Sequence, residues 1–135
     1  MKVVLCEVGK QARITDIDGR LEGMQKVVGG MIEATYPSET DPIALICNEE
    51  GKIYNLPANR AILKSDVEPE SHSIDILDII SGTFFICGIG EENFDSLSDE
   101  LAEKYLERFR YPERFYQVFN EDGPEAIRAP YTGEE

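Results

Sequence analysis

The run Ile43-Ala44-Leu45-Ile46-Cys47 is apolar at every position, so both alternating faces of a strand built from it are apolar. A strand of that kind belongs in the interior of a sheet. The second such segment, Thr83-Phe84-Phe85-Ile86-Cys87-Gly88-Ile89, is rich in β-branched and aromatic residues and reads as a further core strand. These two runs commit the chain to a sheet, and the remaining elements are read around them.

Val3 to Val8 and Ala12 to Ile17 flank Gly9-Lys10-Gln11 and predict an opening hairpin. Asp16 or Asp18 is then placed to cap a helix whose apolar positions Ile17, Leu21, Met24 and Val28 step along one face, ending at Gly29-Gly30. Met31 to Tyr36 reads as a strand, separated from the central run by Pro37 to Asp41. Asn48 to Lys52 has turn chemistry, and Ile53-Tyr54 reads as the restart of a strand. Pro57 restricts Leu56 to extended geometry ahead of a short helical turn within Asn55 to Ala61. Lys64 to Ser73 reads as a polar surface loop, and Ile74 to Ile80 fits helix or strand equally. Ser96 or Ser98 caps a helix with Leu101, Ala102, Tyr105, Leu106 and Phe109 on its apolar face, stopped at Tyr111-Pro112. Glu113 to Phe119 is expected to add helical turns, with Phe115, Tyr116 and Phe119 facing inward, before a poorly tied tail.

The expected class is α+β: a single domain with a mostly antiparallel or mixed sheet, one helix after the first hairpin and a C-terminal helical segment. Residues 1–110 form the α+β domain, and residues 111–135 a C-terminal helical extension with a flexible acidic tail. A chain of 135 residues suits one core, burying about two thirds of the surface its unfolded form exposes.

Charge is distributed unevenly. Residues 1–60 hold 9 acidic against 7 basic side chains, whereas residues 61–135 hold 18 against 6, in a chain of net charge −14. That field repels nucleic acid and anionic membrane and favours basic surfaces, so neither direct nucleic-acid binding nor membrane binding is expected. No apolar run approaches the ~18 residues that span a bilayer, and Glu7 interrupts the start before a signal-peptide core develops. The expectation is a cytoplasmic protein. Cys6, Cys47 and Cys87 lie inside apolar runs without paired spacing, which fits buried reduced thiols; a zinc site would need Cys-x-x-Cys or a nearby histidine.

The junction Gly29-Gly30 to Glu33-Ala34, the segment Ala44 to Lys52, the segment Asn55-Leu56-Pro57-Ala58-Asn59-Arg60-Ala61, and Ile80 to Ile86 with Gly88 together resemble a family of small bacterial and phage proteins, domain of unknown function 3846. The resemblance runs from Met1 to about Phe109 in order and spacing. It implies an origin on a phage, plasmid or conjugative element. It carries no activity and no site residues, so no catalytic, cofactor or metal role is transferred.

Asn55, Asn59 and Arg60 are the candidate contact that packing does not require: amides and a guanidinium beside a proline turn can hold a carboxylate, phosphate or backbone partner. The plainer alternative is that they bond loop carbonyls or a neighbouring acid. Enzyme readings are weaker. His72, flanked by Ser71 and Ser73, lacks an orienting third group, and Gly88-Ile89-Gly90-Glu91-Glu92 puts two carboxylates where a pyrophosphate would sit. Asp66, Glu68, Glu70 and His72 alternate and could gather a divalent cation, but a loop without the spacing or glycine of an EF-hand is more often simply solvated.

On the last helix Asp99, Glu103 and Glu107 recur every fourth residue and form an acidic face, with Lys104 and Arg108 placed to offset it. A domain of this size is roughly 35 Å across, and duplex DNA of that length presents roughly 20 phosphates. The expected function is a non-catalytic protein-binding or regulatory domain acting through a sheet edge or the Asn55–Ala61 loop, which requires fewer coincidences than the mimicry those dimensions allow. The alternative is an acidic DNA mimic that occupies a basic DNA-binding protein such as a restriction enzyme or nuclease. Strand edges and the aromatic stretch Phe109 to Phe119 are also candidate seams for a homodimer.

Overall fold

A computed structural model describes residues 1–133. The two doubly apolar runs become adjacent interior strands. Strands β1 (Lys2–Cys6), β2 (Arg13–Asp16), β3 (Ile32–Thr35), β4 (Ile43–Asn48) and β7 (Phe84–Ile89) form an antiparallel sheet in the order β2-β1-β7-β4-β3. The short β8 (Phe94–Asp95) pairs with the end of β7, beyond the reach of β1. Leu45 and Val4 both face Ile86 in register, so one face of the sheet is Val4, Cys6, Ile43, Leu45, Cys47, Phe84 and Ile86, and the other is Val3, Leu5, Ala44, Ile46, Phe85 and Cys87.

Each face has its own cover. Helix α1 (Leu21–Val28) lays Met24 and Val28 on the second face. Its end follows expectation, with Gly29 at φ 81° donating to the Gln25 carbonyl at 2.8 Å. Its start does not: Arg20 occupies the cap position without a side-chain cap, and Asp18 instead accepts from the Arg20 amide at 3.0 Å. Ile17 donates to the Met1 carbonyl and stays outside the helix. A Cβ on Gly23 would sit 2.4 Å from the Asp18 carbonyl oxygen, so this entry loop packs tightly only over glycine.

The first face is covered by helix α3 (Asp99–Phe109), with Ala102, Tyr105 and Phe109 buried, and by a second small sheet. Ser98 caps α3, its Oγ accepting from the Leu101 amide at 3.2 Å. The second sheet pairs β5 (Ala58–Leu63) with β6 (Ile76–Ser81), which resolves Ile74 to Ile80 as strand and contributes Ile62 and Ile80 to the core. Two local expectations give way here. Ile53 and Tyr54 form no strand, because Tyr54 and Leu56 donate back to Glu50 and Gly51 and keep the chain winding through an exposed turn. No helical turn follows Pro57, since the extended geometry it imposes runs straight into β5. The polar loop is at the surface but contains a short helix α2 (Lys64–Val67) and a 3-10 turn Pro69–Ser71.

The largest correction lies after Pro112. Residues read as helix are β9 (Glu113–Asn120), which pairs over its whole length with β10 (Gly123–Pro130) in an antiparallel hairpin. Phe115, Tyr116, Val118 and Phe119 are aromatic and β-branched types that favour strand, and Gly123 at φ 106° supports the reversal. The aromatics do not all face inward: Tyr116 and Phe119 are exposed. The segment beyond β10 is tied where described, with Tyr131 donating to the Pro112 carbonyl and Gln11 to the Thr132 carbonyl. Glu134 and Glu135 of the expected tail lie outside the described residues. The architecture is α+β, and no helix among the described residues is long and apolar enough to cross a membrane.

Candidate functional site

Arg60 is fully buried on β5, and its guanidinium is enclosed by oxygen acceptors. Nε donates to the Phe109 carbonyl at 3.1 Å, Nη2 to the Lys10 carbonyl at 2.8 Å, and Nη1 to Asn59 Oδ1 at 2.6 Å and the Glu7 carbonyl at 3.3 Å. Phe109 ends α3, so the cation also meets the negative pole of that helix. Burial pulls the Arg60 pKa down from its ordinary value, opposed by Cys6 and Glu113 nearby. Asn59 is equally enclosed, its Nδ2 donating to the Cys6 and Gly82 carbonyls at 2.9 and 2.8 Å.

Glu113 completes this polar knot and was not legible as a functional or structural residue in sequence. Its Oε1 accepts from the Ala61 amide at 2.9 Å and its Oε2 from Arg128 at 2.7 Å, with Arg108 at 3.8 Å. Arg108 in turn donates to the Ala61 carbonyl at 2.9 Å and clamps Asp66. Both backbone groups of Ala61 are thus satisfied by side chains where another strand would otherwise pair. Asn59 and Arg60 are therefore pins that join β5 to β1 and the turn after it, to the turn before β7 and to the end of α3, and they present no surface to a partner. Asn55 is separated from them, exposed in the preceding turn with φ 55°.

The acidic helix face is partly neutralised. Asp99 pairs with Lys2, which holds its carboxyl below the usual range, and Glu107 pairs with Arg110 at 2.8 Å. Glu103 makes no ion pair among the described residues. Lys104 and Arg108 do not offset their own helix; they cross to Asp41 and Asp66. Tyr105 also donates to Asp41 at 2.7 Å, and burial with that hydrogen bond pushes its phenol well above the usual pKa. Other carboxylates are parcelled out: Glu39, Glu68 and Glu70 line an open cleft with Lys104, Glu91 and Glu92 stand at the β7–β8 turn, and Glu121 and Asp122 at the hairpin tip.

Sites for chemistry do not assemble from the sequence candidates. Asp66 is engaged by Arg108 and by the Leu63 amide, and no group of three or more His, Cys, Asp or Glu suited to a metal occurs among the described residues. Ser71 accepts from the Ser73 amide rather than meeting His72. The Gly88–Gly90 segment turns into β8 and not into a helix, with Gly90 donating to the Asn93 carbonyl. Burial pushes the thiols of Cys6, Cys47 and Cys87 up to about 12, 11 and 12, which leaves them protonated and poor nucleophiles.

The feature with no role in the core is the distal hairpin. Tyr116, Val118 and Ile127 are exposed on one side of it, and Phe119 is 77% exposed near the turn. Tyr116 pairs with Ile127 in register, so their side chains share a face. The aromatic and β-branched residues Phe115, Tyr116, Val118 and Phe119 followed by Asn-Glu-Asp-Gly are the signal that finds this arm.

Neither the curated proteins nor the solved structures contain a match to this chain. The model of one family, described as Domain of unknown function (DUF3846), matches residues 1–110, that is, the two sheets and α3 up to the threshold of the hairpin. From that match over most of its length, the chain belongs to the DUF3846 family.

Proposed function

We propose that this protein is a non-catalytic binding domain, an adaptor or regulator that engages another protein through the β9–β10 arm. The observation that carries the reading is the exposure of Tyr116, Val118 and Ile127 together on one face of a hairpin whose buried residues lie at its root, with Phe119 exposed on the other face near the turn. A two-stranded hairpin is marginally stable by itself, and clustered apolar side chains in water favour a partner surface. Covering one aromatic of this kind contributes roughly 1.5–3 kcal/mol. Glu121 and Asp122 between the strands direct the arm toward a basic partner, a basic DNA-binding protein included, and away from nucleic acid and a second acidic copy. The family resemblance suggests a setting on a phage, plasmid or conjugative element, with the partner a cytoplasmic protein of host or element.

The test is affinity capture with the wild-type chain and a Tyr116→Ser/Phe119→Ser variant. Wild type is expected to retain a partner that the variant loses, both chains being equally folded by circular dichroism. Identical capture by both removes the arm as the binding element.

The acidic DNA mimic is the second reading, favoured by the net charge of −14 and by Glu100 and Glu103 on α3, which pair with no cation among the described residues. It stands second because Asp99 and Glu107 already hold cations. A mimic's grip on a basic nuclease falls steeply as salt rises from roughly 50 to about 300 mM, whereas an apolar arm contact is far less sensitive.

A further inference from the structure

Beside the arm lies an open groove of about 650 Å³ between the segment Ile74–Ile76 and β10, lined by Ile74, Ile76, Ala126, Ile127, Asp75 and Glu125 with Arg128 at one end. Its apolar floor is presented by construction. Ser65 donates to the Ser73 carbonyl at 2.9 Å and Lys64 to the Asp75 carbonyl at 2.8 Å, so the backbone on either side of Ile74 is pinned while its side chain stands 78% exposed. Ile127 projects from β10 and is exposed as well. Holding these residues in place before any partner arrives lowers the ordering cost of binding.

The charges at the groove have one sign. Arg128 is turned to Glu113, at 2.7 Å, and its charge is neutralised there. Asp75 makes no ion pair among the described residues, and Glu125 accepts only from Asn120 Nδ2 at 3.1 Å. The groove therefore offers apolar contact with two free carboxylates and no free cation.

We propose that this groove receives a segment of another protein that alternates apolar with lysine or arginine side chains, the apolar ones on Ile74 and Ile127 and the basic ones on Asp75 and Glu125. This rests on the arm being the binding element and names the chemistry of what it binds. A second copy of the chain fits less well, because it brings the same carboxylates to the same place. Nucleic acid is refused by like charge.

A short fluorescein-labelled peptide of alternating leucine and lysine, titrated into the full chain by anisotropy and mapped on amide NMR spectra, tests the proposal. Binding should shift the amides of residues 74–76 and 125–128. It should weaken by about tenfold or more for a serine–lysine peptide, for a leucine–glutamate peptide, and for an Asp75→Lys/Glu125→Lys variant that keeps its amide dispersion. Equal binding of the serine–lysine peptide, or no loss in the charge-reversed variant, overturns it. Shifts confined to Tyr116, Val118 and Phe119 overturn the groove while leaving the arm as the contact. The arm reading itself falls separately, if Tyr116→Ser/Phe119→Ser captures the same partner as wild type.

Discussion

At its root the β9–β10 arm is built as core: Pro112 and Glu113 are buried, Glu113 accepts from the Ala61 amide and from Arg128, and Tyr131 closes back on the Pro112 carbonyl. A few residues further along the same ladder, Tyr116, Val118 and Phe119 are exposed to solvent, Phe119 most of all. Backbone pairing is continuous from one end to the other, so the difference is made by side-chain environment alone. Secondary structure therefore does not mark what the fold requires. Buried polar groups with all their partners mark the structural end, and unburied apolar groups mark the end available for binding.

Breaking the structural end should cost most. Arg60→Met leaves four oxygens around a buried site without their donor, and is expected to destabilise by roughly 3–5 kcal/mol in urea unfolding. A loss below about 1 kcal/mol would mean the cage is not structural. Glu113→Ala removes the acceptor of Ala61 and leaves Arg128 and Arg108 less compensated; about 2–4 kcal/mol is expected, and Glu113→Gln should recover part of it by keeping one acceptor.

Alkaline titration sharpens the contrast differently, since the three cysteines lie in the main sheet and none in the arm. Their folded pKa values are raised to between about 11 and about 12 against about 8.5 when unfolded. Unfolded thiols therefore ionise first, so their contribution is full below about pH 8.5 and declines as pH rises toward the folded values. Equilibrium stability should fall across that interval, less so in Cys6→Ala measured against its own neutral value. A decline unchanged by removing a thiol would assign it to other groups.

The main sheet was legible because Ile43 to Cys47 and Thr83 to Ile89 are apolar on both parities, a pattern with few solutions. Glycines at 29 and 30 and Ser98 marked helix ends by local chemistry that tertiary structure did not override. The arm was misread as helix because Phe115, Tyr116 and Phe119 stand three and four residues apart, the helical spacing, and the strand's partner, Gly123 to Pro130, looked like tail. Asn59 and Arg60 were visible as special, but their surroundings come from residues up to 53 positions away, which no local window contains. Glu113 looked like one acid among many. Its role depends on an unpaired backbone edge that exists only after β5 and α3 have packed.

The smallest effect is the most telling. The Tyr116→Ser/Phe119→Ser double variant, unfolded in urea beside wild type, should show a midpoint and slope that agree within about 0.5 kcal/mol, as expected for surface positions outside the packed core. A loss of more than about 2 kcal/mol would show that the distal arm is held by the fold after all, and would contradict its assignment as a surface kept for another protein.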